Sequence, residues 1–257
     1  MMTAEALVAG ADANLVCATQ VWASACDGGE CWERDGLTIA ASSVPMRSFN
    51  NVFLQQRPER PVETLSEVSA YFRDRGLPFR LRFLEGAPAP SEDDLAEWGL
   101  QRHGGIPCLA LSPLRADASV SELTVRLVDD EATLRDHTAV VAEGFEWKTT
   151  TLSGVFTPRL IEAPEWRGYV GYRDGRPVAT SQLVFTEGVA GVYYVATVEE
   201  ARRRGFGEAM TRHALNEGAA AGCAIANLQA SEMGEPIYRR MGFEQVGYYR
   251  TYVPEED

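Results

Sequence analysis

Apolar positions along this 257-residue chain change spacing repeatedly between the helical and the strand period, which predicts an α+β protein built on a mixed central sheet with flanking helices. In the first half the pattern predicts a helix over Ala4–Ser24 and a β pair near Trp32–Ala41 and Asn51–Gln55. A helix over Val62–Arg75 follows, with Leu65, Val68, Tyr71 and Phe72 at helical spacing and Gly76 and Pro78 ending it. Next come a strand Phe79–Leu84, a short helix Ser91–Trp98 opened by Ser-Glu-Asp-Asp, and a strand near Cys108–Ser112.

The second half opens on a strand at Leu123–Val128 and a helix over Glu131–Gly144, then a helical stretch around Thr157–Ile161. Three strand-like runs occupy Gly168–Val198, turning at Asp174-Gly175, which tolerates the positive φ of a two-residue hairpin, and at Glu187-Gly188. A helix over Glu208–Ala221, a strand Cys223–Gln229, a helix Ser231–Met241 and a strand Gln245–Val253 complete the chain. The element order of the first half resembles the last part of the second, so two domains are expected, 1–117 and 118–257, divided in the small, polar stretch after Ser112.

The charge changes the list of partners. With 24 basic and 37 acidic residues the net charge is −13, which argues against nucleic acid. No apolar run approaches the roughly 20 residues that cross a bilayer, and Met1–Gly10 has no basic stretch, so a cytoplasmic protein without a membrane partner is expected. The five cysteines include no Cys-x-x-Cys pair and the three histidines stand far from them, so no metal site is expected.

Candidate chemistry concentrates in one segment. The β-branched run Tyr193–Val198 leads into Arg202-Arg203-Arg204-Gly205-Phe206-Gly207, which opens a helix. Successive backbone N–H groups and the positive helix end then converge on one spot, suited to a polyanion. Gly205 and Gly207 let that backbone approach the ligand, and Gly205 permits a positive φ. A Walker loop is excluded because Gly207 precedes Glu208 and Ala209 instead of Lys-Ser/Thr. A Rossmann fingerprint is excluded because 205–210 reads Gly-Phe-Gly-Glu-Ala-Met.

Here the chain resembles the GNAT superfamily of acetyl-CoA-dependent N-acetyltransferases. Arg202, Gly205 and Gly207 meet its Gln/Arg-x-x-Gly-x-Gly/Ala loop signature, and Tyr238 followed by Gly242-Phe243 meets a second, over a resemblance that covers 123–253. The first half resembles a degenerate copy, with Gln56–Pro61 in place of the glycine loop.

The resemblance implies that the amides from Arg203 to Glu208, with Arg202, Arg204, Gly205, Phe206 and Gly207, bind the pyrophosphate of the co-substrate acetyl-CoA. It also implies that Val195, Thr197 and Val198, on a strand splayed from its neighbour, bond the pantetheine arm, and that Ser231 stands in for a cofactor-binding Asn. Tyr238 is the expected general acid, protonating the departing thiolate from a phenol that is neutral at physiological pH. A general base has no direct candidate, since Gly191 stands where some relatives carry Glu, leaving Glu146 and Glu187 as water-mediated substitutes.

Phe145 and Trp147 flank the acceptor side, as substrate-stacking rings or as a lid over the core. The expected reaction is direct acetyl transfer to the primary amine of a small molecule, for which an acidic protein favours a cationic acceptor. The chain is expected to act as a monomer or homodimer. The alternative is a non-catalytic acyl-CoA-binding regulatory module.

Overall fold

The computed structural model describes residues 3–86, 90–117 and 121–255. The first half forms α1 (Ala4–Ala25), β1 (Glu30–Arg34), β2 (Leu37–Ala41), β3 (Asn50–Leu54), α2 (Pro61–Asp74), β4 (Arg80–Leu84), α3 (Glu92–Glu97) and β5 (Leu100–Leu111). The second forms β6 (Thr124–Leu127), α4 (Glu131–Gly144), α5 (Thr149–Leu152), α6 (Pro158–Glu162), β7 (Trp166–Arg173), β8 (Arg176–Thr186) and β9 (Val189–Thr197). It ends with α7 (Phe206–Ala220), β10 (Ile225–Gln229), α8 (Glu235–Arg240) and β11 (Glu244–Pro254).

All eleven strands join one sheet in the order β1-β2-β3-β4-β11-β5-β10-β9-β8-β7-β6. The order reads alike outward from its centre. Antiparallel β5 and β11 pair from Leu100↔Pro254 to Ala110↔Glu244. Beyond them lie β4 and then parallel β3 on one side, and β10 and then parallel β9 on the other, each followed by antiparallel strands.

The last strand of each half has therefore crossed over. β5 pairs with β10 and β11 instead of β4, and β11 pairs with β4 and β5 instead of β10. The boundary expected between 117 and 118 abuts 118–120, which lie outside the described residues, and the sheet is continuous across the two segments.

One face of the sheet carries α1, α4, α5 and α6 over a core that draws on both halves, including Leu15, Trp22, Phe53, Cys108, Phe156 and Tyr249. On the opposite face, α2 packs over Leu37, Ile39 and Leu81 in the first half. There α7 and α8 pack over Leu109, Leu183 and Leu228 in the second. Strands β2 and β3 are buried at every position because helices cover both faces, and the polar Thr38, Asn50 and Asn51 are buried with them. Helix α1 touches both β2 and β8, which lie seven steps apart in the sheet, so the sheet curls around it.

Local signals place most elements. Ser91 and Asp94 form a reciprocal capping box on α3, and Asp130 and Thr133 form another on α4. The hairpin turn has φ of +50° at Asp174 and +78° at Gly175, as the dipeptide predicts.

The differences are informative. β5 begins at Leu100, eight residues before the expected Cys108, because pairing with β11 supports a stretch, Leu-Gln-Arg-His-Gly-Gly-Ile-Pro, with no strand periodicity of its own. Helix α8 spans only Glu235–Arg240, because Ser231 to Gly234 forms a separate turn.

Candidate functional site

Strands β9 and β10 run parallel for three residue pairs, Ile225↔Val189, Ala226↔Ala190 and Asn227↔Gly191, and then part. β9 continues alone against β8, and the register between them shifts between Thr180↔Ala196 and Gln182↔Tyr193. The extra residue is absorbed at Tyr194, whose φ is +46° and whose carbonyl accepts the Thr180 hydroxyl at 3.0 Å. The bulge re-aims the strand where the split opens.

Just beyond, a single 3₁₀ turn at Glu199–Ala201 leads to Arg203 at φ +62° and Gly205 at φ +79°, and α7 starts at Phe206. Gly205 occupies the N-cap and no side chain caps the helix, so its first amides face outward with the positive helix end behind them. Gly207 borders the expected strand face, its Cα hydrogen pointing to where an added Cβ would sit 3.6 Å from Thr197 Oγ1 and 3.9 Å from Val195 Cγ1. Val195, Thr197, Gly205 and Gly207 thus line one run from the split to the helix end. Val198 is buried behind it and packs in the core beneath α7.

The three arginines divide their work. Arg203 and Arg204 are exposed on the turn, and Arg204 lines a cleft of about 840 Å³ with Gly205, Phe206, Glu208, Arg173 and Arg212. Arg202 points inward: its guanidinium donates to Thr197 O at 3.3 Å and Gly144 O at 3.2 Å, tying the loop to β9 and to the end of α4. Glu143 adds a second tie by accepting the Glu199 N–H at 3.0 Å. Arg202 therefore holds the loop's shape with its side chain.

Tyr238 stands on α8, half-buried, with its phenol against the Thr211 hydroxyl of α7 and its ring 6.0 Å from Phe243. Burial pushes its ionisation up to about 12. The phenol stays protonated over the physiological range, as a proton donor requires. Ser231 is exposed, and its hydroxyl accepts the Gly234 N–H at 3.2 Å, closing the turn before α8.

The empty position at Gly191 has a physical cause. An added Cβ would fall 1.8 Å from Asn14 Oδ1, so α1 fills the place of any carboxylate there. Asn14 donates to Val184 O at 2.9 Å and Thr186 Oγ1 at 3.0 Å, and accepts the Tyr193 hydroxyl at 2.7 Å. Nearby, Gln182 Oε1 accepts the indole N–H of both Trp22 and Trp166, at 3.0 and 2.8 Å, and its amide meets His137 Nε2 at 3.3 Å.

Glu146 and Glu187 are both exposed. Phe145 stacks on Trp147 at 5.0 Å, and Trp147 meets Phe49 at 5.8 Å and Tyr194 at 6.3 Å, so the pair joins the two halves beside the bulge. Sequence reasoning missed Asn14 and Gln182 as parts of this region and gave Tyr193 and Tyr194 no role beyond the strand they begin. Their polar groups meet across as many as 179 residues, which no local pattern encodes.

In the first half, β3 leads into α2 before its parallel partner β4, and the turn that enters α2 is held by Asp35. Asp35 accepts the backbone N–H of Glu59 at 3.0 Å and the Thr64 hydroxyl at 2.8 Å. Among the described residues no group of three His, Cys, Asp or Glu side chains comes together, all five cysteines are free, and no helix is long and apolar enough to cross a membrane.

Residues 131–246 match the family model described as an acetyltransferase (GNAT) domain. Among solved structures, a GCN5-related N-acetyltransferase from Kribbella flavida is similar, at 19% identity and a TM-score of 0.73, over 95% of each chain. Another from Sphaerobacter thermophilus has 18% identity and a TM-score of 0.59, covering 84% of this chain and 76% of the other. A tandem GNAT protein from the clavulanic acid biosynthesis pathway has 13% identity and a TM-score of 0.57, covering 84% and 77%. At these identities the structures show a shared fold, and the likeness spans both halves. No curated protein sequence matches.

Proposed function

From membership of the GNAT superfamily, which residues 131–246 carry, we propose that this chain transfers the acetyl group of acetyl-CoA to a primary amine of a small molecule. The observation that supports it most is the uncapped start of α7 beside the split between β9 and β10. The turn amides and the helix end hold the pyrophosphate, and the edge of β9 at Val195 and Thr197 guides the pantetheine toward the bulge.

The amine nitrogen attacks the thioester carbonyl, forming the C–N bond and an oxyanion. Backbone N–H groups of bulged β9 stabilise that charge from a fixed position. Collapse breaks the C–S bond, and Tyr238 delivers its proton to the thiolate. The amine proton leaves to water, consistent with Asn14 filling the place of a direct base at Gly191. Positioning supplies most of the acceleration.

A panel of amines assayed for CoA release tests this reading. Acyl transfer to at least one of them, slowed in the Tyr238→Phe protein, is the expected result. Acetyl-CoA binding without turnover on any of them supports the non-catalytic module instead.

A further inference from the structure

Strand β9 breaks its own alternation at the bulge. Val192 and Val195 pack in the core beneath α7, whereas the two residues between them, Tyr193 and Tyr194, both pack in the core beneath α1. Neighbours in a regular strand point to opposite faces, so it is the φ of +46° at Tyr194 that brings the second ring round beside the first.

Both rings meet one side chain of the first half. Trp22, on α1, lies 5.1 Å from the Tyr193 ring and 5.0 Å from the Tyr194 ring, edge to face with each. Its indole is anchored as well: the N–H donates to Gln182 Oε1 at 3.0 Å, and Gln182 is the register partner of Tyr193 on β8. Trp22 and Gln182 are both buried, so this bond fixes the orientation of the indole against the bulge. Asn14, eight residues earlier on α1, accepts the Tyr193 hydroxyl at 2.7 Å, and Asn227 of β10 donates to Ala11 O at 3.2 Å. Helix α1 is thereby tied to both strands of the split.

A residue other than glycine held at positive φ is strained, and it persists only where its surroundings over-determine it. At Tyr194 the carbonyl is held from the second half by Thr180, and the ring is held from the first half by Trp22, with Phe49 stacked at 6.3 Å. The backbone N–H groups of this bulge are those to which the acyl-transfer reading assigns the oxyanion, and such donors act only if they are in place before the charge forms.

Resting on that reading, we propose that Trp22 is a positioning residue for the reaction: it holds the β9 bulge in the shape that stabilises the oxyanion. The first half, with Gln56–Pro61 in place of a glycine loop, thus completes the site of the second. Loss of Trp22 acts on the transition state and spares acetyl-CoA, whose pyrophosphate is held at the start of α7.

Trp166 supplies the control. Its indole N–H donates to the same oxygen, Gln182 Oε1, at 2.8 Å; it is buried, and it meets neither tyrosine ring among the described residues. Trp22→Leu and Trp166→Leu therefore lose the same hydrogen bond and similar packing, and only the first frees the bulge. Both are expected to lower Tm and to keep the heat of acetyl-CoA binding. Only Trp22→Leu is expected to speed hydrogen exchange of the amides of 193–197, read by mass spectrometry. Only it should lower kcat for CoA release with the best amine of the panel, on the order of 10²-fold, with KM for acetyl-CoA unchanged.

Trp22→Phe, which keeps a ring against the tyrosines, should recover part of that rate. With Trp166→Phe it forms a milder pair should either leucine variant fail to fold. Equal exchange and equal kcat in the two variants of a pair, or a loss in Trp22→Leu that lies wholly in acetyl-CoA affinity, would overturn the proposal. CoA release with no amine by the unaltered protein would instead overturn the acyl-transfer reading, and the exchange comparison would still decide whether Trp22 holds the bulge.

Discussion

Asp35 holds the turn that enters α2 through Arg60, whose backbone N–H donates to its carboxylate at 3.2 Å. In the second half the turn that enters α7, at Gly205, carries the exposed Arg203 and Arg204 instead. The two halves share strand order, yet the turn into α2 carries its own carboxylate and α2 opens on Pro61, which has no N–H to offer, so one acetyl-CoA per chain is expected.

Asp35→Ala should lower Tm without changing that stoichiometry. Hydrogen bonds from Glu59, Thr64 and Arg60 hold the Asp35 carboxyl below its usual range. A depressed folded-state value means that its contribution is complete above the ordinary carboxylate range, near pH 4, and is lost as pH falls through the lower value. The gap in Tm between the two proteins should therefore be full at neutral pH and shrink in acid. A gap that stays constant on acidification contradicts the assignment.

Strand crossover makes a strong claim about fragments. A chain of residues 118–257 lacks β5, leaving the facing edges of β10 and β11 unpaired. It is expected to be aggregated or without a cooperative melting transition. Size-exclusion chromatography and thermal denaturation by circular dichroism check this, and a monomeric fragment with a sharp melt contradicts it.

Tyr238→Phe should preserve the acetyl-CoA-induced rise in Tm and lower kcat by about 10²-fold, the lower range for losing a positioned proton donor. Because burial pushes the phenol up to about 12, kcat should show no basic limb from Tyr238 below about pH 10. An unchanged kcat would leave this tyrosine as packing between α7 and α8.

Much of this arrangement is local and was legible. Asp174-Gly175, the Ser91 cap and the run from Arg202 to Gly207 each encode a backbone shape within a few residues, and each appears where the sequence predicts it. Non-local features were not legible. The strand character of Leu100–Pro107 comes from β11, more than 140 residues away, and the constraint on Gly191 comes from Asn14 on α1.

The central claim is that the start of α7 binds the pyrophosphate of acetyl-CoA. Calorimetric titration of acetyl-CoA into the unaltered protein and into Gly205→Glu tests it most directly. An added Cβ at Gly205 meets nothing within 4 Å, so the variant bears only the strain of φ +79°, about 1–2 kcal/mol, and should still fold. Its carboxylate would occupy the anion's place. One site per chain in the unaltered protein and no measurable heat of binding in folded Gly205→Glu is the expected result; equal affinity in the two folded proteins would contradict the account.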